Sequence, residues 1–488
     1  MSTRRSDVQQ PSSVPHPRGT APSHIHLLGI CGTGMAALAG ILKELGYRVT
    51  GSDEQAYPPM STFLADLGLT VLPGYRPENL EPPPDLVVVG NVIRRENPEA
   101  QAVLARGLPR LSLPEALNRF LVNGRHSLVV AGTHGKTTTT ALLAWLLYAA
   151  GLDPGFMVGG LSRNFASNYR VGAGPYVVLE GDEYDTAFFD KRPKLVHYQP
   201  RVAILTSVEF DHADIYPDLA AVCRAFRDWV AGLTPEATLL AWGDAPLVRE
   251  VAASTPARRR FYGFGRENHW QAREVRPVTG GMAFRVWRGG ERFGEFIAPL
   301  LGRHNVLNCL AALAALAELG LTPGVLKVGL SGFQGVKRRQ EPVCGYQGIL
   351  VLDDFAHHPT AVAATLEAVR EGHSGRRLLA VFEPRTNTSR RQVFQADYAR
   401  AFGAADMVFV REPPDLWKVP EGERFSSERL VQDLRARGQE AFYFPDTDGL
   451  LAGLLNTVRP GDVVLVMSNG DFDHLVPRLC AALGGTPG

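Results

Sequence analysis

The chain has no long apolar run, no surplus of either charge and few cysteines. No stretch reaches the roughly eighteen consecutive apolar residues that suggest a membrane helix, so no bilayer span is expected. Lys and Arg number 51 against 50 Asp and Glu, a formal net charge of +1. Phosphate backbones and anionic lipids are gripped by a basic excess, so this balance argues against a general nucleic-acid or membrane-surface binder. The five cysteines (Cys31, Cys223, Cys309, Cys344, Cys480) are scattered, odd in number and form no CxxC. That usage suits a reducing cytosol and argues against a disulfide framework or a thiolate zinc site. Met1 to Ser23 is polar, contains proline and glycine and has no apolar h-region. It reads as a disordered tail rather than a secretory signal.

The length of 488 residues, at about 150 per domain, gives roughly three domains. From His24 onward short apolar runs alternate with helical stretches, the pattern of parallel sheets covered by helices. In the first unit, strands are predicted at Ile25–Leu28, ending at Val49, and at Leu86–Val89, with a helix over Met35–Leu45. This unit should end at the Asn123-Gly124 turn, giving a domain over 24–123. A second domain, 124–340, opens with the run Leu128–Ala131 and a glycine-containing loop, then a helix through Leu147. Strands follow at Tyr176–Leu179 and Val202–Leu205, a more antiparallel stretch between Ala237 and Ile297, and a helix over Val306–Leu319. A third domain, 341–488, has strands at Ile349–Leu352, Leu378–Phe382, Met407–Val410 and Val463–Met467, and a helix over Thr360–Arg370.

The loop Gly132-Thr133-His134-Gly135-Lys136-Thr137-Thr138 sits between an apolar strand and a helix. Such a loop wraps phosphates with backbone N–H groups, with Lys136 as a point charge and Thr137 as a Mg2+ ligand. It departs from the general phosphate-loop spacing, because Val130 stands where the first glycine belongs. Glu180, Asp182, Glu183 and Asp185 follow an apolar strand, where metals of phosphate sites are held, although four acids in six residues also fit a solvated loop. Glu209, Asp211, His212 and Asp214 follow a second strand, and Glu180 with His212 is the pairing expected to ligate a metal. Gly29-Ile30-Cys31-Gly32-Thr33-Gly34 follows the first strand with spacing GxxGxG rather than GxGxxG. It fits a diphosphate on a helix N-terminus, with Asp53 near a sugar or base, or simply a tight strand–helix turn. In the third domain, Asp353-Asp354-Phe355-Ala356-His357-His358-Pro359 and Phe382-Glu383-Pro384-Arg385-Thr386-Asn387 each follow a strand. Arginine forks and histidines there suit carboxylate recognition, or each stretch is an ordinary loop.

Together these segments resemble the Mur ligase family, ATP-dependent ligases of bacterial cell-wall assembly, from about Ile25 to the end. The family's GTxGKT loop accounts for Val130. The resemblance implies a three-domain α/β architecture: a Rossmann-like N-terminal domain, a phosphate-loop central ATPase domain and a Rossmann-like C-terminal domain. It implies ATP and Mg2+ as cofactors, with catalytic Lys136, Glu180 and His212 and metal ligands Thr137, Glu180 and His212. Asn305, Asn308, Arg339 and Asp354 would join the loop residues Gly132 to Thr138 in holding ATP. Gly29, Gly32, Thr33, Gly34, Met35, Asp53 and Asn91 would hold a UDP-linked substrate, and His357, His358, Arg385 and Asn387 a peptide. No lysine lies between Ala220 and Val230, where other members carry a carbamylated lysine.

Two branches of the family share GIxGxGM, DExD and DDxxHHP. One adds L-alanine to UDP-N-acetylmuramate; the other adds the tripeptide L-Ala-γ-D-Glu-meso-diaminopimelate during peptidoglycan recycling. Tyr57-Pro58-Pro59-Met60, Glu183 to Arg192, Phe382 to Thr388 and Met467-Ser468-Asn469-Gly470 resemble the second. The partners implied are UDP-N-acetylmuramate and the tripeptide, without nucleic acid or membrane, for a cytoplasmic monomer or weak dimer. The alternatives are the alanine-adding branch, a non-catalytic nucleotide-binding relative and a dehydrogenase. Substrates divided over three domains imply hinge closure, with water kept from an acyl phosphate.

Overall fold

The structure, a computed structural model, describes residues 23–56, 60–484 and 486–487. The expected tail through residue 22 and Tyr57-Pro58-Pro59 lie outside the described residues. Ser23, counted with that tail, is instead anchored: its N and Oγ donate to Asp85 Oδ2 at 2.8 and 3.0 Å. The chain forms two compact units, one through Leu113 and one from Pro114.

The first unit is a five-stranded parallel sheet of β1 (His24–Leu28), β2 (Arg48–Asp53), β3 (Val71–Pro73), β4 (Leu86–Val89) and β5 (Arg110–Ser112). Its order is β3-β2-β1-β4-β5. The helix Thr33–Glu44 buries Met35 through Leu42, of which Ala36, Ala37, Ala39 and Gly40 are small and allow a close approach. The second strand runs four residues past the expected end at Val49. Gly51 is not a turn residue there: a Cβ would sit 2.6 Å from Ile30 Cδ1 and 2.8 Å from the Leu27 carbonyl, so the glycine admits the neighbouring chain.

The second unit begins in a helical stretch that ends in a π-helical turn over Leu117–Val122. Asn118 Nδ2 donates to the His197 carbonyl at 2.8 Å and so ties this stretch to the central domain. The Asn123-Gly124 turn exists, with φ of 40° and 79°, inside this second unit. The central sheet contains β6 (His126–Ala131), β7 (Gly155–Ser162), β8 (Ser167–Arg170) and β9 (Tyr176–Gly181). A separate hairpin follows, β10 (Asp185–Ala187) with β11 (Asp190–Pro193). The central sheet resumes with β12 (Val202–Leu205), β13 (Thr238–Trp242), β14 (Arg258–Gly263), β15 (Trp270–Val278), β16 (Gly281–Arg288) and β17 (Glu291–Ala298). Its ten-strand order is β17-β16-β15-β14-β13-β12-β6-β9-β7-β8. The stretch expected to be antiparallel divides in two. β13 and β14 still pair in parallel, and only β15 to β17 form an antiparallel meander, with a register break at Val286/Trp287. The helices Lys136–Ala149 and Arg303–Glu318 pack on this sheet through Leu142, Leu143, Leu146, Leu310 and Leu313, all buried.

The C-terminal sheet comprises β18 (Glu341–Tyr346), β19 (Ile349–Asp354), β20 (Leu378–Phe382), β21 (Met407–Arg411), β22 (Glu440–Phe444), β23 (Val463–Met467) and β24 (Thr486–Pro487). Its order is β22-β21-β20-β23-β19-β18-β24, parallel from β22 to β19, with one hydrophobic cluster on each face. One reading of the cysteines is corrected here: Cys344 and Cys480 form a disulfide. They are 136 positions apart, and only the return of the helix Leu475–Leu483 onto β18 brings them together. Cys31, Cys223 and Cys309 are free thiols.

Candidate active site

The phosphate loop leaves the carboxyl end of β6 and enters the helix at Lys136. Two glycines make its path possible. Gly132 has φ 132°, and a Cβ there would lie 2.2 Å from Thr206 Oγ1; Gly135 has φ 79°, and a Cβ would lie 2.5 Å from Asn308 Oδ1. Each pairs a left-handed backbone with a close approach that only glycine meets. The end of β12 braces the loop. Ser207 Oγ accepts from His134 N at 2.8 Å, Thr206 Oγ1 donates to the His134 carbonyl at 2.5 Å, and Thr133 Oγ1 accepts from Glu209 N at 2.8 Å. Thr206 and Ser207 were not singled out from sequence; their signal is their place immediately after β12, beside a strand that leads into a phosphate loop.

Lys136 is turned onto a carboxylate that the sequence reading left in its acidic run. Its Nζ contacts Glu183 Oε1 and Oε2 at 3.1 and 2.9 Å. Burial works against the lysine charge, but Glu183 and then Glu180 outweigh it, and the pKa lies above the ordinary lysine value. Glu183 is lowered in turn: Lys136 and His212 overcome its desolvation. His212, at φ 56°, places Nε2 3.0 Å from Glu183 Oε1. Burial lowers its pKa less than Glu183 raises it. Glu180 faces the loop helix: Thr137 Oγ1 donates to it at 3.0 Å and Gly159 N at 2.9 Å. Burial dominates there, and its pKa is raised. Of the three expected metal ligands, Thr137 and Glu180 are therefore paired with each other, and His212 with Glu183.

Asn305 and Asn308 are buried and bonded to one another, Asn308 Nδ2 donating to Asn305 Oδ1 at 3.1 Å. Asn308 also accepts from Thr139 Oγ1 at 3.3 Å, so the pair holds the loop helix against Arg303–Glu318. His304 beside them is pushed down to about 4, by burial and then by Arg339 and His134. Arg339 lies over the Phe355 ring at 4.8 Å. Its charge acts on both Asp354 and Glu180. Asp354 accepts from Gln340 N and Ala356 N, both at 2.7 Å.

The other third-domain residues divide. Arg385 Nη1 reaches Asp471 Oδ1 at 2.9 Å, in space that Gly470 leaves open: a Cβ there would meet Arg385 Cδ at 2.3 Å. Asn387 Nδ2 donates to Asp214 Oδ2 at 3.0 Å, and Thr388 Oγ1 accepts from Ala213 N at 3.0 Å. The Arg385 segment thus borders the His212 loop. His357 Nδ1 contacts the Phe355 carbonyl at 2.9 Å. His358 is buried, caps the helix Pro359–Gly372 and contacts the Phe210 carbonyl through Nε2 at 3.1 Å, so its side chain is engaged within the fold. Glu383, fully buried, is held by Arg411 and by Ser468 Oγ at 2.6 Å; Ser468 belongs to the Met467–Gly470 run noted in the sequence, whereas Arg411 was not singled out there.

In the first unit Gly29 N and Ile30 N donate to the Ser52 carbonyl, and Cys31 N donates to Asp53 Oδ2 at 2.9 Å. Gly32 precedes the helix with no side chain capping it. Asn91 lies in the turn after β4.

The comparisons agree with this geometry. Three family models match in order: "Mur ligase family, catalytic domain" over residues 24–125, "Mur ligase middle domain" over 130–316 and "Mur ligase, glutamate ligase domain" over 338–470. The chain belongs to the Mur ligase family. The UDP-N-acetylmuramate–L-alanyl-γ-D-glutamyl-meso-2,6-diaminoheptandioate ligase of Escherichia coli is 41% identical over 94% of this chain and 98% of its own. The UDP-N-acetylmuramate–L-alanine ligase of Sorangium cellulosum is 35% identical over 94% and 96%. The crystal structure of a murein peptide ligase from Psychrobacter arcticus superposes with a TM-score of 0.70 at 36% identity, covering 95% of this chain and 99% of that one. As a Mur ligase, this chain has no lysine anywhere in the helix Leu219–Ala231.

Proposed function

We propose that the chain joins the lactyl carboxylate of UDP-N-acetylmuramate to the L-alanyl amine of L-Ala-γ-D-Glu-meso-diaminopimelate, using ATP and passing through an acyl phosphate. The observation that carries this reading is the buried Lys136–Glu183–His212 set beside the Thr137–Glu180 pair, all at the carboxyl ends of neighbouring parallel strands. A carboxylate and an amine do not condense in neutral water. Activation by ATP and collapse of the tetrahedral adduct both gather negative charge on a few oxygens, so the site must supply cations and fixed dipoles. Lys136 and the amides of Gly132 to Thr138 supply them for the phosphates. Lys136 is neutralised by Glu183 in this structure, so a phosphate binds by exchange: it takes the lysine over from the carboxylate. The Thr137 hydroxyl and the Glu180 carboxylate, 3.0 Å apart, are hard oxygen donors that fit Mg2+. A Mg2+ held there, with His212 released from Glu183, would neutralise phosphate charge.

Asn305, Asn308, Arg339 and Asp354 would frame the nucleotide. The loop from Gly29 to Met35, with Asp53 and Asn91, would hold the UDP end. The amine in either branch is an L-alanyl nitrogen, so selection depends on the part of the acceptor beyond its alanine. Arg385, countered by Asp471, can exchange that carboxylate for one on the peptide, and Asn387 and Thr386 offer neutral hydrogen bonds to its amides.

ATP turnover with UDP-N-acetylmuramate against L-alanine, the tripeptide and longer peptides tests the reading. kcat/KM for the tripeptide should exceed that for L-alanine by at least about a hundredfold, about 2.7 kcal/mol of added transition-state binding. Equal or reversed preference would move the chain to the alanine-adding branch.

A further inference from the structure

One constellation beside the nucleotide residues has side chains that the ligase chemistry leaves unused. Among the described residues, His134, Glu209 and His358 bring one ligand atom each to within 4.8 Å of one another. His134 is on the phosphate loop, Glu209 lies just past β12, and His358 caps the first helix of the C-terminal domain. His134 Nε2 is buried without a hydrogen-bond partner; at 3.5 Å from Glu209 Oε2 it falls beyond a well-formed bond. His358 contacts the Phe210 carbonyl at Nε2, which makes that nitrogen the protonated one; its Nδ1, 3.8 Å from Glu209 Oε2, accepts a long bond from Thr360 N at 3.3 Å, which a bound ion would have to replace. A backbone carbonyl fixing the far nitrogen of an imidazole is the usual support of a metal-binding histidine. Thr360 Oγ1 orients the carboxylate by donating to Glu209 Oε2 at 2.6 Å. Burial, and then the neighbouring His134, push His358 down to about 4, so its ring is neutral at pH 7.

We propose that His134, Glu209 and His358 form a second metal site, for a borderline divalent ion of the Zn2+ type, that ties the phosphate loop to the C-terminal domain. Bonds of about 2.0–2.1 Å in a tetrahedron place ligand atoms about 3.3 Å apart. The two carboxylate-to-imidazole separations of 3.5 and 3.8 Å are within half an ångström of that. Two imidazoles and one carboxylate favour Zn2+ or Co2+ over Mg2+, which prefers oxygen donors and keeps its waters. The fourth position would hold water. The site differs from the Thr137–Glu180 pair in both residues and donor type.

The test is metal binding itself, so it stands or falls separately from the substrate assignment. With excess Mg2+ present, the full chain should bind one Zn2+, measured by calorimetry on metal-stripped protein, and its melting temperature should rise. Glu209→Gln and His358→Gln should each weaken Zn2+ by at least about tenfold and lose the thermal shift, whereas Glu180→Gln should retain both. If a variant fails to fold, Co2+ added to the unaltered chain provides the second readout: the visible absorption of a four-coordinate nitrogen–oxygen site. Zn2+ displaced by Mg2+, binding lost in Glu180→Gln, binding unchanged in both Glu209→Gln and His358→Gln, or Co2+ showing only six-coordinate absorption would each overturn the proposal.

Discussion

Replacing Glu183 with glutamine should destabilise the second unit most when no nucleotide is present. The variant keeps the shape of the side chain and removes its charge. Lys136 and Glu183 expose only 14% and 3% of their side chains, so this is a buried pair rather than a surface one. Removing one partner of such a pair costs about 3–5 kcal/mol, because the other charge stays buried without its counter-ion. Here the lower end applies, since Glu180 still acts on Lys136. A loss of about 3 kcal/mol is roughly two decades in the unfolding equilibrium. ADP or ATP would restore an anion to Lys136, so the nucleotide should stabilise Glu183→Gln more than it stabilises the parent. Urea unfolding of both proteins, with and without nucleotide, followed by a probe in the central domain, measures the two differences. Equal unfolding midpoints without nucleotide, or the same nucleotide-induced shift in both proteins, would refute the claim that Glu183 serves as the resident counter-ion of Lys136.

Lys136→Ala should lower kcat at least about a thousandfold, about 4 kcal/mol of lost transition-state stabilisation, with circular dichroism unchanged; a rate within tenfold of the parent would contradict the phosphate role. Glu180→Ala should raise the Mg2+ concentration needed for half-maximal turnover, and an unchanged titration would make Glu180 purely structural. His304, lowered from 6.5 to about 4, is neutral in the fold but takes up a proton on unfolding between those values. Stability from this group is therefore complete above pH 6.5 and is lost as the pH falls towards 4. His304→Gln should flatten that acid limb in thermal melts, and an unaltered slope would show that the group titrates normally.

Much of the fold was legible because parallel sheets announce themselves as apolar runs separated by helices. The phosphate loop was legible for the same reason: its glycines and lysine stand between such a run and a helix. Glu183 was visible within an acidic run, but four carboxylates in six residues give no sign of which one faces the lysine; that depends on where the chain turns after β9. The second strand was expected to end at Val49 because the sequence shows Gly51 as a break in the apolar run and not the Ile30 side chain pressed against it. His358 was expected at the peptide, and its place as the cap of a helix is something that only the fold shows. The Cys344–Cys480 disulfide depends on a helix returning from the far end of the chain, a non-local contact that spacing cannot encode.

The ten-stranded sheet has a consequence for how the protein behaves when crowded. An open sheet of that size ends in two rows of unsatisfied backbone groups, and each is a template on which another chain could add a strand. On one side the last strand, β8, has only four residues, and Arg170 on it is paired with Asp153. On the other, β17 carries Glu291, Arg292 and Glu295 exposed to solvent, lies beyond the register break at Val286/Trp287 and is packed by the helix Pro323–Ser331. Shortness guards one margin; charge, a bulge and a covering helix guard the other. Self-association by strand addition is thereby discouraged in the native state, and aggregation on heating should begin with exposed core segments of unfolded chains rather than at the borders of this sheet.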